Sequence, residues 1–231
     1  MEIFVRILCV LVGYCCGLVQ TAYIYGKLHG IDIREYGSGN AGTTNALRVL
    51  GKKAGLIVFL GDLLKATLAC VLARLIGTAY FPDILYPMIL WSGLGVVIGH
   101  NFPFYMNFKG GKGIAATAGV ILGLLDVRIM AICLAAFLLC VIVTRYVSLG
   151  SLVVVVLFFL SFVGLGVTGG ILNPTTGTAY QGRELYESYV VIFIFAALAF
   201  YRHKANIVRL IHGNENKLFG QSRTGEKKNG E

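Results

Sequence analysis

The chain has 231 residues, 57% hydrophobic and only 13% charged, whereas a soluble domain carries roughly 25% charged side chains. That balance excludes an ordinary water-soluble globular class and points to an all-α polytopic membrane protein built from runs of roughly 17 to 25 apolar residues. The net charge of +9 would suit nucleic acid, but the basic residues sit between apolar runs, which favours loops on one membrane face and small anionic substrates.

Residues 3–25 form the first apolar run; they lack a basic leader and a small-residue cleavage site, so they read as a retained span. A polar segment, 26–53, follows and contains Gly37-Ser38-Gly39-Asn40-Ala41-Gly42-Thr43-Thr44-Asn45, with Arg48 one turn further on. Residues 54–77 form the second span, in which Asp62 and Lys65 read as a mutually neutralised i,i+3 pair. Residues 84–98 form the third span and run into Gly99-His100-Asn101-Phe102-Pro103, then Phe108-Lys109-Gly110-Gly111-Lys112-Gly113. The apolar run 114–125 is only twelve residues long, about 18 Å of helix against a hydrocarbon core of about 30 Å. Spans over 129–143 and 152–167 are separated by Arg145-Tyr146-Val147-Ser148-Leu149-Gly150-Ser151. A loop over 169–187, to which the residues assign no role, precedes a last span at 190–201 and a basic tail. One domain over 1–219 is expected, with a disordered tail over 220–231.

Suppose that the polar segments 26–53, 99–113 and 144–151 share one side with the tail. That side then holds fifteen Lys and Arg, against Arg6, Arg74, Arg128 and Arg183 on the other, with Lys65 inside a span. The asymmetry predicts about seven crossings, an outside N-terminus and a cytoplasmic C-terminus. It also gathers every Gly/Ser/Asn/Lys-rich segment on the cytoplasmic face.

Taken singly, each segment is ambiguous. Gly37 to Gly42 matches G-x-G-x-x-G, but no strand precedes it and a span follows, which rules out a dinucleotide fold. The alternatives are a plain turn or an anion nest with Ser38, Asn40, Thr43, Thr44 and Asn45 as donors. Lys109 to Gly113 is not a Walker loop; it feeds a helix N-terminus with two lysines, an anion-favouring arrangement, although lysines here also serve as topology signals. Arg145, Ser148 and Ser151 suit either a helix cap or a site. His203, Asn206 and Arg209 share one helix face, which fits headgroups as well as substrate. His100 reads as a span-end cap, and Phe102, Phe104, Tyr105 and Phe108 as an interfacial belt or an acyl-chain wall. Four isolated cysteines and the adjacent Cys15 and Cys16, without any C-x-x-C, support neither zinc nor a disulfide framework. No metal and no cofactor are expected.

In order along the chain, Gly37-Ser38-Gly39-Asn40-x-Gly42-x-Thr44-Asn45, the His100 and Lys-Gly segment, Arg145 to Ser151, and His203-x-x-Asn206-x-x-Arg209-Leu210 with Gly213-x-Glu215-x-Lys217 resemble the motif set of the bacterial acyl-phosphate:glycerol-3-phosphate acyltransferases. Ala41 and Thr43 stand where that family usually has proline and alanine. The resemblance implies an integral membrane enzyme of the bacterial inner membrane, facing the cytoplasm. It would move an acyl group from acyl phosphate to the sn-1 hydroxyl of glycerol 3-phosphate, yielding lysophosphatidic acid and inorganic phosphate. It implies catalytic roles for Ser38, Arg48, Lys112, Ser148, His203 and Asn206. Substrate binding would fall to Gly37, Gly39, Asn40, Thr44, Asn45, His100, Lys109, Gly110, Gly111, Gly113, Arg145, Ser151, Arg209, Glu215 and Lys217. Expected partners are the two substrates, membrane lipids and a soluble enzyme that makes the donor, not nucleic acid. In detail, residues 110–113 are expected to hold the acyl phosphate, and Ser38, Arg48, Ser148 and the His203/Asn206 face the glycerol 3-phosphate. The H-x-x-x-x-D pair of acyl-CoA-type acyltransferases is absent, which leaves two candidates to take the hydroxyl proton, a substrate phosphate oxygen or a side chain such as His203. A transporter for a phosphate-containing anion is the alternative; it would call for an internal repeat, and none is evident.

Overall fold

The structure, a computed structural model, describes residues 1–218; the tail expected over 220–231 lies outside them. The described residues form an all-helical bundle, with one isolated bridge between Leu172 and Ala179. The helices are α1 (Glu2–Gly17), α2 (Thr21–Leu28), α3 (Thr43–Tyr80), α4 (Leu85–Asn101), α5 (Ile114–Gly123), α6 (Val127–Thr144), α7 (Val147–Val167), α8 (Arg183–Arg202) and α9 (Lys204–Ile211). Six helical segments of the described residues are long and apolar enough to cross a membrane, and α5 is a shorter apolar helix of ten residues.

Helix α4 is the central pillar, buried along nearly its whole length and packed against α1, α3, α5 and α8. Glycines allow the closest of these approaches. Gly13 and Gly17 of α1 lie against the Ser92 and Val96 carbonyls, while Gly95 and Gly99 of α4 lie against those of Val10 and Tyr14. A Cβ at any of the four would collide with backbone. This is the small-residue spacing that holds helices together in lipid, where apolar burial supplies little drive.

Two spans differ from the sequence expectation. The first is broken at residues 18–20, where the chain leaves α1 and restarts as α2; Gln20 turns inward and its amide donates to the Gly17, Gly99 and His100 carbonyls at 3.0–3.3 Å. The polar segment 26–53 is partly helical, because residues 43–50 form the first limb of α3. Gly51, at φ 87°, then redirects the helix, and that conformation is cheap only for glycine.

Arg6 bridges Glu187 at 2.6 Å, Arg74 donates to the Leu124 carbonyl, and Arg128 to the Gly170 carbonyl at 2.8 Å. These arginines mark one end of the bundle. The loop ahead of α8 closes that end, with Asn173 donating to the Pro82 carbonyl at 3.1 Å and Tyr180 to that of Asp83. Helix α5 starts beside Val97 and Asn101 and runs alongside α3, with Gly119 against Leu63 and Gly123 against Cys70. It therefore joins the polar end to the arginine end despite its length. By this register Ile114 lies opposite Val58, about 9 Å along α3 from Lys52. The lysine-glycine turn is thus sunk into the bundle.

Candidate active site

A cavity of about 490 Å³ opens at the end opposite the arginines. Four helices begin at its wall: α3 at Gly42 and Thr43, α5 at Gly113 and Ile114, α7 at Val147 and Ser148, and α9 at His203. First-turn N–H groups lack carbonyl partners within their own helix, and each N-terminus carries about half a positive charge. Arg48, Lys112 and Arg209 border the same space. Beyond this polar mouth the cavity becomes an apolar groove lined by Phe59 and Leu63 of α3, Ala118 and Leu122 of α5, and Met130 and Phe137 of α6.

The first motif is shaped by Asn45. Its side-chain oxygen accepts from the Ser38 N–H at 2.8 Å and the Ser38 hydroxyl at 3.1 Å, while its amide donates to the Ile33 and Tyr36 carbonyls at 3.0 Å. Asn45 is buried, so it builds the turn that presents Ser38. Gly37 and Gly39, at φ 58° and 71°, supply the bend but do not line the cavity. A small core of Ala22, Ile33, Ala41, Ala46, Ala54, Val58 and Met106 supports the loop from behind.

In the lysine-glycine turn, the Gly110 N–H donates to the Asn101 carbonyl at 3.2 Å and the Gly111 N–H to that of His100 at 3.1 Å. Their own carbonyls accept from the Arg202 guanidinium at 2.7–3.1 Å. These two peptides are therefore spent on holding the turn. This corrects the expectation that they cradle an anion directly. Lys112 and Gly113 remain on the cavity wall. The Lys112 ammonium donates to the Asn206 side-chain oxygen. Burial pushes its pKa down to about 8; Arg209, Arg202 and Arg48 add to the shift and Glu215 opposes it.

Glu215 ties α7 to α9. Its carboxylate accepts from the Ser148 hydroxyl at 3.0 Å, the Asn206 amide at 2.7 Å and the Arg209 guanidinium at 2.7 Å. A carboxylate so engaged orients neighbours, and as an acceptor it suits a substrate hydroxyl rather than a phosphate. His203 is buried, with Nδ1 2.8 Å from the Ala199 carbonyl. Nδ1 must carry the proton there, which assigns a bare Nε2. Burial first, then Lys112, holds the His203 pKa down to about 4, so the ring is neutral at pH 7. Ser151, one turn after Ser148, borders the cavity and donates to its own helix at Val147.

Ser38, Asn40, Thr44, Asn45, Arg48, His100, Lys112, Gly113, Ser148, Ser151, His203, Asn206, Arg209 and Glu215 are thus brought together at one cavity. Gly37, Gly39, Lys109, Gly110, Gly111, Arg145 and Lys217 are not. Lys109, Arg145 and Lys217 are solvent-exposed; Arg145 turns the chain at φ 63° after α6, and Lys217 lies over the Tyr146 ring. Of the aromatics offered as an acyl-chain wall, Phe104, Tyr105 and Phe108 are exposed, and none of the four lines the cavity. The groove is built instead from α3, α5 and α6. Sequence reasoning counted Arg202 only as a topology charge and missed its grip on the turn, although it immediately precedes His203.

Residues 7–213 match the family described as Glycerol-3-phosphate acyltransferase. The chain is 40% identical to the glycerol-3-phosphate acyltransferase of Clostridioides difficile (strain 630), covering 94% of this chain and 98% of that one. The relative in Chlorobaculum tepidum is also 40% identical, over 92% and 96% of the two chains. Among solved structures, PlsY (YgiH), an integral membrane glycerol 3-phosphate acyltransferase, is similar in its glycerol 3-phosphate form with a TM-score of 0.76 and 32% identity, covering 93% of this chain and 96% of that one. Its lysophosphatidic acid form gives a TM-score of 0.74 and 31% identity, over 93% and 95%.

Proposed function

The chain belongs to the glycerol-3-phosphate acyltransferase family, and from that premise we propose that it takes its acyl group from an acyl phosphate and delivers it to the sn-1 hydroxyl of glycerol 3-phosphate. The products are lysophosphatidic acid and inorganic phosphate. One observation carries this reading: four helix N-termini and the cations of Arg48, Lys112 and Arg209 converge on a cavity that continues into an apolar groove. A site that must hold two phosphate groups and one acyl chain needs these parts side by side.

In this reading Arg48 and the α3 N-terminus, beside the turn that Ser38 and Asn45 shape, hold the phosphate of glycerol 3-phosphate. Lys112 and the α5 N-terminus hold that of the donor, whose chain lies in the groove. The glycerol hydroxyl oxygen attacks the acyl carbonyl carbon and the bond from that carbon to the phosphate oxygen breaks. The hydroxyl proton passes to the departing phosphate, whose second pKa near 6 suits neutral pH. The bare Nε2 of His203 accepts a hydrogen bond from the neighbouring sn-2 hydroxyl and so holds the attacking one in position; with a pKa of about 4 it is too weak a base to take the transferred proton. Ser148, Asn206 and Glu215 keep Lys112 and Arg209 in place. Most of the rate enhancement then comes from positioning and from charge set in advance.

Arg6, Arg74 and Arg128 gather at one end of the bundle and the cavity opens at the other, which supports an outside N-terminus, a cytoplasmic site and seven passages in the bacterial inner membrane. A soluble enzyme that makes acyl phosphate would then reach the cavity directly. The test is an assay of purified protein with glycerol 3-phosphate and either acyl phosphate or acyl-CoA. Lysophosphatidic acid should form with acyl phosphate alone, and exclusive use of acyl-CoA would overturn the donor assignment.

A further inference from the structure

Behind the lysine-glycine turn lies a buried charge cluster that the steps above do not use. Lys65 and Asp62, one turn apart on α3, meet His100 at the end of α4, and these side chains are 7%, 1% and 4% exposed. The Lys65 ammonium lies 2.9 Å from the Asp62 carboxylate, 3.0 Å from His100 Nδ1, and 2.5 Å and 3.4 Å from the Val19 and Gly17 carbonyls at the break between α1 and α2. Thr21 donates to the same Asp62 oxygen at 3.2 Å. A pair serving only to cancel its own charge would not need a histidine as third partner, and buried ion pairs are poor sources of stability.

The geometry assigns the histidine tautomer. An ammonium has donors only, so its 3.0 Å approach to Nδ1 requires that nitrogen to accept. The opposite choice, Nδ1–H donating to Asp62, would span 3.5 Å and set an N–H against the ammonium. The ring proton is therefore on Nε2. That atom lies against Gly111, where a Cβ would strike it, close to the Ala41 carbonyl. Among the described residues no hydrogen-bond acceptor takes the Nε2 proton, and His100 borders the cavity. The result is a neutral donor beside the turn that carries Lys112.

We propose that Asp62 and Lys65 are positioning residues that hold His100 as its Nε2–H tautomer, so that this N–H is presented to the substrate phosphate held at Lys112. The inference rests on the acyl-transfer reading of the cavity. Glutamine places an amide N–H roughly where Nε2–H stands and has no tautomer to select, so it bypasses the pair.

The test uses purified full-length protein with ¹⁵N-labelled histidine. His100 is assigned by the signals lost in His100→Gln, and its ring should show a protonated Nε2 and a bare Nδ1 at pH 7. Kinetically, Asp62→Asn with Lys65→Met, which removes both charges together, should lower kcat/KM by about 10-fold to 100-fold in the His100 background. In the His100→Gln background the same change should cost less than about 3-fold, the non-additivity expected when one group acts through another. A wild-type His100 protonated on Nδ1 would overturn the proposal, as would equal losses in both backgrounds. If the charge-free variant fails to fold, the wild-type spectrum alone decides. Failure of the wild-type protein to acylate glycerol 3-phosphate would strike the reading of the cavity instead and leave the tautomer measurement standing.

Discussion

Lys112 answers two opposed demands. It must be charged to hold a phosphate, yet it is half enclosed by three guanidinium groups and by apolar wall. A pKa of about 8 leaves roughly nine-tenths of it protonated at pH 7. The sign follows: raising pH through 8 removes the cation, so kcat/KM should fall about tenfold per pH unit above that point. A bound phosphate dianion favours the ammonium, so the corresponding limb of kcat should lie at higher pH; superimposed limbs would show that another group titrates. Lys112→Ala should cost at least about 100-fold in kcat/KM, the usual loss for a group that meets developing charge. His203→Ala, which removes one hydrogen-bond acceptor, should cost about 10-fold. Complete loss in His203→Ala with rescue by imidazole would make that ring the base. At this scale the sequence was informative about residue type, since Ser38, Arg48, Lys112, Ser148, His203 and Asn206 all border the cavity. It was silent on the division between groups that face ligand and groups that build the wall. Asn45 reads as a ligand donor and Glu215 as a substrate contact until their partners within the protein are seen.

At the level of elements, the site depends on a turn whose peptides are already committed. Gly110 and Gly111 bond to the end of α4 on one side and to Arg202 on the other, which fixes the next two residues at the mouth of α5. Glycine is required at 111 because a Cβ would enter the His100 ring and crowd the Ala41 carbonyl. Gly111→Ala should therefore displace Lys112, lowering kcat/KM by about 10-fold to 100-fold while costing about 1–3 kcal/mol of stability. The check is a thermal melt beside the assay; unchanged kinetics would show that the turn tolerates movement. The helices themselves were legible because long apolar runs have few alternatives in a bilayer. The break at residues 18–20 and the bend at Gly51 were not, since both lie in stretches whose composition fits a continuous helix or a loop equally well.

Across the whole molecule, the short α5 is what lets a polar site and a lipid groove share one cavity. Starting the helix about 9 Å inside the bundle lowers Lys112 toward acyl-chain depth, and the same helix then lines the groove with Ala118 and Leu122. Filling the groove should discriminate by chain length. Ala118→Phe is expected to reduce activity with a sixteen-carbon donor about 10-fold more than with an eight-carbon donor, because each buried methylene is worth roughly 0.8 kcal/mol. Equal losses on both donors would place the chain elsewhere. By itself the sequence determined the membrane class, the alternation of apolar and polar segments and the residue types that meet at the polar end, because hydropathy and the cost of exposed backbone in lipid act locally along the chain. Only the tertiary structure decided which of those residues face the cavity and which stand behind it, that α3, α5 and α6 form the groove, that Arg202 braces the turn, and that Asp62 and Lys65 meet His100. Those outcomes depend on contacts between helices distant in sequence, where glycine spacing and single buried partners set distances that no local pattern records.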